Sequence, residues 1–170
     1  MTLRIIIVGD THASSFQEIP KEILEYSRDA NLIIHTGDFI GESVLEGFQI
    51  LKKNCFIGVY GNADNLKIRN KLKSKEIIQI SKIRIGITHP YFGGPDSSIV
   101  TKVLKMFIQD NTQIIIFGHT HDPNVIVKNH IILINPGKGY VDNHSVNPKA
   151  SIALLEIGNK LNVRIVQIEN

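Results

Sequence analysis

Short runs of apolar, β-branched residues recur along the whole chain, set apart by polar stretches with a different period. Residues 3–8, 31–36, 55–60, 77–80, 83–88, 113–117, 125–127, 131–134, 151–157 and 161–168 each have the length and composition of a β-strand. Helix-like stretches at 20–30, 42–54 and 96–111 lie between them. In the last, Ile99, Val103, Met106 and Phe107 recur at three- and four-residue spacing, which puts them on one helical face. Pro20 suits a first helical turn, where its missing N–H removes no hydrogen bond.

Strand and helix alternate through about the first two thirds of the chain, the pattern of parallel strands joined by crossover helices. After Gly118 the strands are joined by short turns, Lys128-Asn129-His130 and Gly158-Asn159-Lys160, as in antiparallel hairpins. The expected architecture is a mixed α/β fold, two sheets face to face with helices on both outer sides. No linker, low-complexity segment or internal repeat divides the chain, so residues 1–170 are expected to form one domain. The strands at 151–168 either cap a sheet or pair with a second copy, which leaves a homo-oligomer open.

Composition narrows the class. The lone Cys55 excludes an internal disulfide framework and fits a reducing compartment. No apolar run approaches the roughly 18 residues of a membrane-spanning helix. The opening MTLRIIIVGD lacks the pattern of a signal peptide, so the expected location is cytoplasmic. The formal charge of +3 is mild. Lys67, Arg69, Lys71, Lys73 and Lys75 crowd one stretch; such runs are usually solvated faces, and a nucleic-acid surface is the alternative.

The chemistry-bearing residues stand just after strands. Asp10 and His12 follow the first, Asp38 the second, Asn62 and Asp64 the third, His89 the fifth, and His119 and His121 the sixth. In open α/β sheets, ligands bind at the carboxyl ends of the strands. A single Gly-Asp or Gly-Asn is an ordinary turn pair. Asp-x-His in one turn and His-x-His in another exceed what turns require. Carboxylate, imidazole and amide oxygen without thiolate suit Mn²⁺, Fe²⁺, Co²⁺, Ni²⁺ or Zn²⁺. Asp10, His12, Asp38, Asn62, His89, His119 and His121 are too many for one ion. With one bridging carboxylate they supply four contacts to each of two, and two such ions form the usual clamp for displacement at phosphorus.

In order, Gly9-Asp10-Thr11-His12, Gly37-Asp38, Gly61-Asn62-Ala63-Asp64, His89 and Gly118-His119-Thr120-His121 resemble the motif set of the calcineurin-like metallophosphoesterases. Short spacings and Ile134-Asn135-Pro136-Gly137 resemble the small single-domain branch, which holds phosphodiesterases and the retromer scaffold subunit. The resemblance covers about residues 3–140. It implies a four-layer αββα sandwich, one metal held by Asp10, His12 and His121, a second by Asn62, His89 and His119, and Asp38 bridging. The implied reaction is attack of a metal-bridging hydroxide on a small phosphate ester, with a diester favoured over a monoester and Mn²⁺ the favoured metal. Asp38, Asn62 and His119 would act catalytically through the metals. From its position two residues past Asn62, Asp64 is expected either to orient a ligand histidine or a water or to serve as a structural turn residue.

Three positions depart from the pattern. Ala63 stands where a histidine often protonates the leaving group, Pro90-Tyr91 where Gly-His is frequent, and Lys138 where a serine is frequent. Lys138 is expected to be an exposed loop residue, or else to reach a substrate phosphate. His35 is expected in the core or directly behind a ligand, His130 on the surface, and His144 in a polar loop, with a stand-in proton donor as its alternative role. The alternatives to an enzyme of this class are a protein-binding scaffold on the same fold and a nuclease using the basic run.

Overall fold

Ile5, Ile6, Ile7 and Val8 are all fully buried, so β1 (Leu3–Val8) is covered on both faces. Successive side chains of a strand point to opposite faces. Ile5 and Ile7 therefore pack into a core with Ile34, Ile85, Ile87, Ile114 and Ile116, while Ile6 and Val8 pack into another with Ile23, Val44, Leu45 and Phe48. This computed structural model describes residues 2–91, 98–144 and 149–169.

Two five-stranded sheets enclose the first of these cores. In one, β2 (Leu32–His35) and β3 (Phe56–Gly58) run parallel to β1, and β9 (Ala150–Ile157) runs antiparallel on its other side. β10 (Leu161–Ile168) completes the order β10-β9-β1-β2-β3. The other sheet contains β4 (Lys75–Ile80), β5 (Ile83–Thr88), β6 (Ile114–Phe117), β7 (Asn124–Lys128) and β8 (Ile131–Asn135) in the order β4-β5-β6-β8-β7. There β5, β6 and β8 are parallel, with antiparallel edges β4 and β7.

Helices close the outer faces. α1 (Lys21–Asp29) and α2 (Glu42–Lys52) cover the first sheet through Ile23, Val44, Leu45 and Phe48. α4 (Ile99–Met106) covers the second, where Ile99, Val103 and Phe107 meet Ile115, Phe117 and Leu133. The layers are helix, sheet, sheet, helix, as expected. β6 has the same two-faced alternation as β1: Ile114 and Ile116 face the other sheet, Ile115 and Phe117 face α4. Among the described residues, no helix is long and apolar enough to cross a membrane.

The differences from expectation are local. Pro20 caps α1 instead of entering it. The third helix stops at Met106, short of 111, and its expected first residues, 96 and 97, lie outside the described residues. β4 and β5 form an antiparallel hairpin inside the stretch read as crossover-linked.

The basic run is not one face. It spans α3 (Leu66–Lys71), a loop and β4, and α3 is capped by Asn65, whose side chain accepts from Lys67 N (2.9 Å) and Ile68 N (3.1 Å). Its cations are individually engaged: Lys67 with Glu42 (3.1 Å), Lys71 with Glu46 (2.9 Å), Lys73 with Glu76 (3.0 Å) and Lys75 with Asp110 (2.5 Å). His130 is exposed in the β7–β8 turn, where it and Asn129 both take positive φ (64° and 52°), as a two-residue hairpin turn requires.

Truncating a side chain between the sheets should leave a cavity that the two β layers cannot close. Ile116→Ala is expected to cost about 2–5 kcal/mol, read as a lower urea midpoint at unchanged slope; a loss below about 0.5 kcal/mol would contradict this packing.

Candidate metal centre

The carboxyl ends of β1, β2 and β3 meet those of β5 and β6 along one seam. The turns after β1 and β2 run side by side: Asp10 N donates to Gly37 O (2.9 Å) and His12 N to Asp38 O (3.1 Å). His119 N, after β6, donates to both carboxylate oxygens of Asp10 (3.2 and 3.1 Å). At the end of β5, the Nδ1–H of His89 donates to Thr36 O at 2.9 Å. The loop after β8 joins them through Gly139 N on Gly9 O (2.9 Å) and Asn135 Nδ2 on Thr120 Oγ1 (2.7 Å).

The backbone pays for this convergence in strain. Asp10 (φ 48°), His12 (45°), Asp38 (58°), Ile40 (74°), His119 (88°) and His121 (58°) all lie in the left-handed region. Such placements cost of order 1–3 kcal/mol each and persist where surrounding structure enforces them. Asp and His tolerate the region better than most residues, whereas Ile40 is an outlier for a β-branched side chain. Two glycines are required by space or conformation. Gly37 has φ 104°, and a Cβ on Gly61 would collide with Asp38 Oδ1.

The seven nominated donors are gathered at this seam. Asp10 is fully buried and Asp38 is 2% exposed. His121 Nε2 lies 3.3 Å from Asp10 Oδ1, and His12 Nε2 lies 3.5 Å from Asp38 Oδ2. On the other side, His89 Nε2 is 3.4 Å from Asp38 Oδ2. Asn62 Oδ1 is 3.0 Å from both His89 Nε2 and His119 Nδ1. Asp10, His12 and His121 form one group of mutually close ligand atoms, and Asp10, Asp38 and His89 form another.

These residues fit divalent ions on three grounds. His12 Nε2 is shut off from solvent yet makes no hydrogen bond. His89, with its Nδ1 proton given to a carbonyl, turns an Nε2 lone pair toward two oxygens. Second-sphere hydrogen bonds of this kind fix the tautomer of ligand histidines. The donor spacings of 3.0–3.5 Å also match those around an ion with bonds of about 2.1 Å, namely about 3.0 Å in octahedral and 3.4 Å in tetrahedral sites.

The protonation of the shell is split by environment. Burial pulls His12 below the ordinary histidine value, against the opposing pull of Asp38 and Asp10. The hydrogen bond to Asp10 raises His121 despite its burial. His35, wholly enclosed, is held well below the ordinary value by burial and then by His89 and His12.

Of the two roles expected for Asp64, its hydrogen bonds are those of the structural turn role. The Asp64 carboxylate bonds neither a histidine nor any side chain among the described residues. It accepts from Asp38 N (3.0 Å), Phe39 N (2.7 Å), Ile40 N (3.0 Å) and Gly61 N (2.8 Å), which ties the second and third motif turns together; burial raises its pKa against those bonds. Lys138 is not an exposed loop lysine. It is 4% exposed, 3.6 Å from Asp142 and over the Tyr140 ring, because the loop after β8 folds in against Gly9 and Asp10. His35 is in the core as expected, stacked on Phe39 at 3.6 Å and accepting from Gly37 N at 3.1 Å. His144 is exposed, and its N–H donates to Asp142. Tyr91, 66% exposed, stands edge-on to His119 with 5.8 Å between ring centroids.

Two residues were not foreseen. Arg69 donates to the carbonyls of Asp64 (2.8 Å) and Asn62 (2.7 Å), holding the Asn62 turn from behind. Tyr140 flanks the opposite side, with ring centroids 5.5 Å from His12 and 6.0 Å from His121. Arg69 was hidden inside a charge run, and no periodicity marks Tyr140.

Residues 3–160 match the sequence profile of the calcineurin-like phosphoesterase superfamily domain, and the chain belongs to that family. A probable metallophosphoesterase of Methanocaldococcus jannaschii is 31% identical over 99% of this chain and 83% of that protein. A solved archaeal phosphodiesterase is 25% identical with a TM-score of 0.75, covering 98% of this chain and 100% of that one. Vps29 from Entamoeba histolytica, solved with Zn²⁺, has the same fold: 21% identity, TM-score 0.72, coverage 97% of this chain and 99% of that one.

His35, which is not itself one of the donors, supplies a pH test of its burial beside them. Its folded-state pKa lies below the unfolded one, so its contribution is full above the ordinary histidine value and is lost as the unfolded state takes up a proton on acidification. Wild-type stability should fall between pH 7.5 and 5, by at most about 1.4 kcal/mol per pH unit from this residue. His35→Gln should be less stable at pH 7.5, with the gap narrowing toward pH 5 in urea titrations. A gap that widens would contradict the burial argument.

Proposed function

We propose that the chain is a divalent-metal-dependent phosphodiesterase with a dinuclear site. The observation that carries this reading is the enclosed His12 Nε2, without a hydrogen bond, inside a shell of two buried carboxylates, three further histidines and Asn62. Asp10, His12 and His121 would hold one ion, Asn62, His89 and His119 the other, with Asp38 between them. The spread of donors supports that division, since Asp38 Oδ2 faces both His12 and His89. The likeness to a phosphodiesterase across the whole chain supports the diester preference. Mn²⁺ is the metal we favour, and the all-N/O donor set without thiolate equally suits Fe²⁺, Co²⁺, Ni²⁺ or Zn²⁺.

Bound there, the ions would polarise a phosphoryl oxygen and supply an activated water for in-line attack at phosphorus. The chain's own residues prepare the place for this. Asp64 and Arg69 hold the turns that carry Asp38 and Asn62 in position. Thr36 O fixes His89 through Nδ1 and leaves Nε2 toward the centre. Tyr91 and Tyr140 border the donors on opposite sides. At Ala63, only the backbone N–H engages the centre, donating to Asp38 Oδ1 at 2.8 Å. With no imidazole there, protonation of the leaving group falls to solvent, and positioned acids commonly contribute about 10²–10⁴-fold. Esters with good leaving groups are therefore preferred.

Ala63 together with the Vps29 fold favours a second reading, a binding scaffold of weak activity. The nuclease alternative draws no support from the basic run, whose lysines pair with carboxylates and whose arginine holds backbone.

The test is chelation, addition of Mn²⁺, and hydrolysis of an activated aryl phosphodiester by wild type and His119→Ala. Turnover should return with metal in wild type and fall by at least about 10²-fold in the variant. No turnover with Mn²⁺, Ni²⁺ or Co²⁺ would overturn the enzyme reading in favour of the scaffold.

A further inference from the structure

A cavity of about 800 Å³ opens beside the donor set, with Thr11 and His12 at its inner end and Tyr140 and Val141 along one wall. That volume is within the range of roughly 300–1,000 Å³ typical of small-molecule sites. Because His12 belongs both to the donor set and to the cavity lining, a group esterified to a phosphate at the metal centre has this space next to it.

The far side of the cavity has a distinct chemistry. Glu18, Glu22, Glu25 and Glu169 face it with Lys21 as the only cation in its lining, a formal charge of −3. Two of these carboxylates, Glu18 and Glu22, are held by hydrogen bonds from the surrounding chain. Glu18 accepts from Ser14 N (3.1 Å) and Ser15 Oγ (3.0 Å), and Glu22 accepts from Glu169 N (3.0 Å). Two lysines offset part of that charge, Lys21 in the lining at 3.7 Å from Glu25 and Lys149 outside it at 3.8 Å from Glu169, which leaves Glu18 and Glu22 without a paired lysine or arginine in these ion pairs. Lys138, in the adjoining loop, is buried against Asp142 and Tyr140 and is not part of the lining.

The site thus has two ends of opposite character, a cation centre for the phosphate and a carboxylate-edged cavity for what is attached to it. We infer that the cavity takes one ester arm of the diester and selects an arm that is cationic or uncharged, such as an amino alcohol, over one bearing a carboxylate or second phosphate. Tyr140 and Val141 give that arm an apolar flank on the same cavity. Like charge at the rim rejects an anionic arm, and rejection of this kind is a standard source of specificity. The inference rests on the phosphodiesterase reading above.

The experiment uses the metal-loaded full chain and three p-nitrophenyl phosphodiesters whose second arm is choline, methyl or glycolate. In each, water adds to phosphorus, the bond from phosphorus to the aryl oxygen breaks, p-nitrophenolate leaves and the arm stays as a monoester. The choline ester should exceed the glycolate ester in kcat/KM by about tenfold at low ionic strength, with the methyl ester between them. Glu25→Lys, at an exposed position, should shrink or reverse that ratio. Amide NMR shifts of the zinc-loaded protein give a readout without turnover: O-phosphocholine should move Glu25 and Val141, and 3-phosphoglycerate should move them less.

Equal kcat/KM for the choline and glycolate esters, a preference for glycolate, or a ratio unmoved by Glu25→Lys would overturn the inference while leaving the phosphodiesterase reading standing. Failure to cleave any of the three diesters would overturn that reading itself, and this inference with it.

Discussion

Two buried carboxylates at the seam between the sheets, Asp10 and Asp38, are the constraint on which the strand ends depend. Neither is more than 2% exposed, and histidines stand against both, His12 and His89 beside Asp38 and His121 beside Asp10. Burying an ionised carboxylate costs several kcal/mol unless it is paired and hydrogen-bonded. The fold offsets this with oriented backbone donors, His119 N on Asp10 and Ala63 N on Asp38, and with a ring of imidazoles. The left-handed backbone at Asp10, His12, Asp38, His119 and His121 is the conformational cost of aiming so many donors at one place.

That arrangement needs a scaffold able to hold strained turns. β1 and β6 provide it, β1 buried from Ile5 to Val8 and β6 throughout, and each is packed on both faces, one into α1 and α2 and the other into α4. Their carboxyl ends cannot move apart without opening the core between the sheets. Behind the turns, Asp64 and Arg69 act as a second tier: one carboxylate gathers four backbone N–H groups, and one guanidinium gathers the carbonyls of the Asn62 turn. The chemistry-bearing side chains are thus positioned from the backbone outward.

Much of this could be read from residues alone. Strand runs of Ile and Val survive as strands because their burial on one or both faces demands an apolar pattern, and the polar residues that follow them stand out against it. The family resemblance rests on those same turns, and the fold and family bear it out. What escaped had a local cause. α3 is a six-residue helix with one fully buried side chain, Ile68, too short for a periodic signal, so its residues looked like part of a charge run. Lys138 looked like a surface residue because its burial comes from a contact between the β8 loop and Gly9, far away in sequence. Tyr140 owes its place to the same long-range closure, as does the cavity along α1, whereas Arg69 acts locally, on carbonyls five and seven residues back.

We propose that this shell is built around two cations. Calorimetric titration of the chelated protein with Mn²⁺, followed by thermal unfolding of the loaded and chelated forms, reads the number of ions and their effect on stability together. Wild type should bind two ions per chain and unfold at a higher midpoint when loaded, because ligands that bind only the folded state stabilise it, and Asp38→Asn should lose at least one ion. Wild-type protein that binds no divalent ion, or whose midpoint is unchanged by saturating metal, would contradict a shell built for cations.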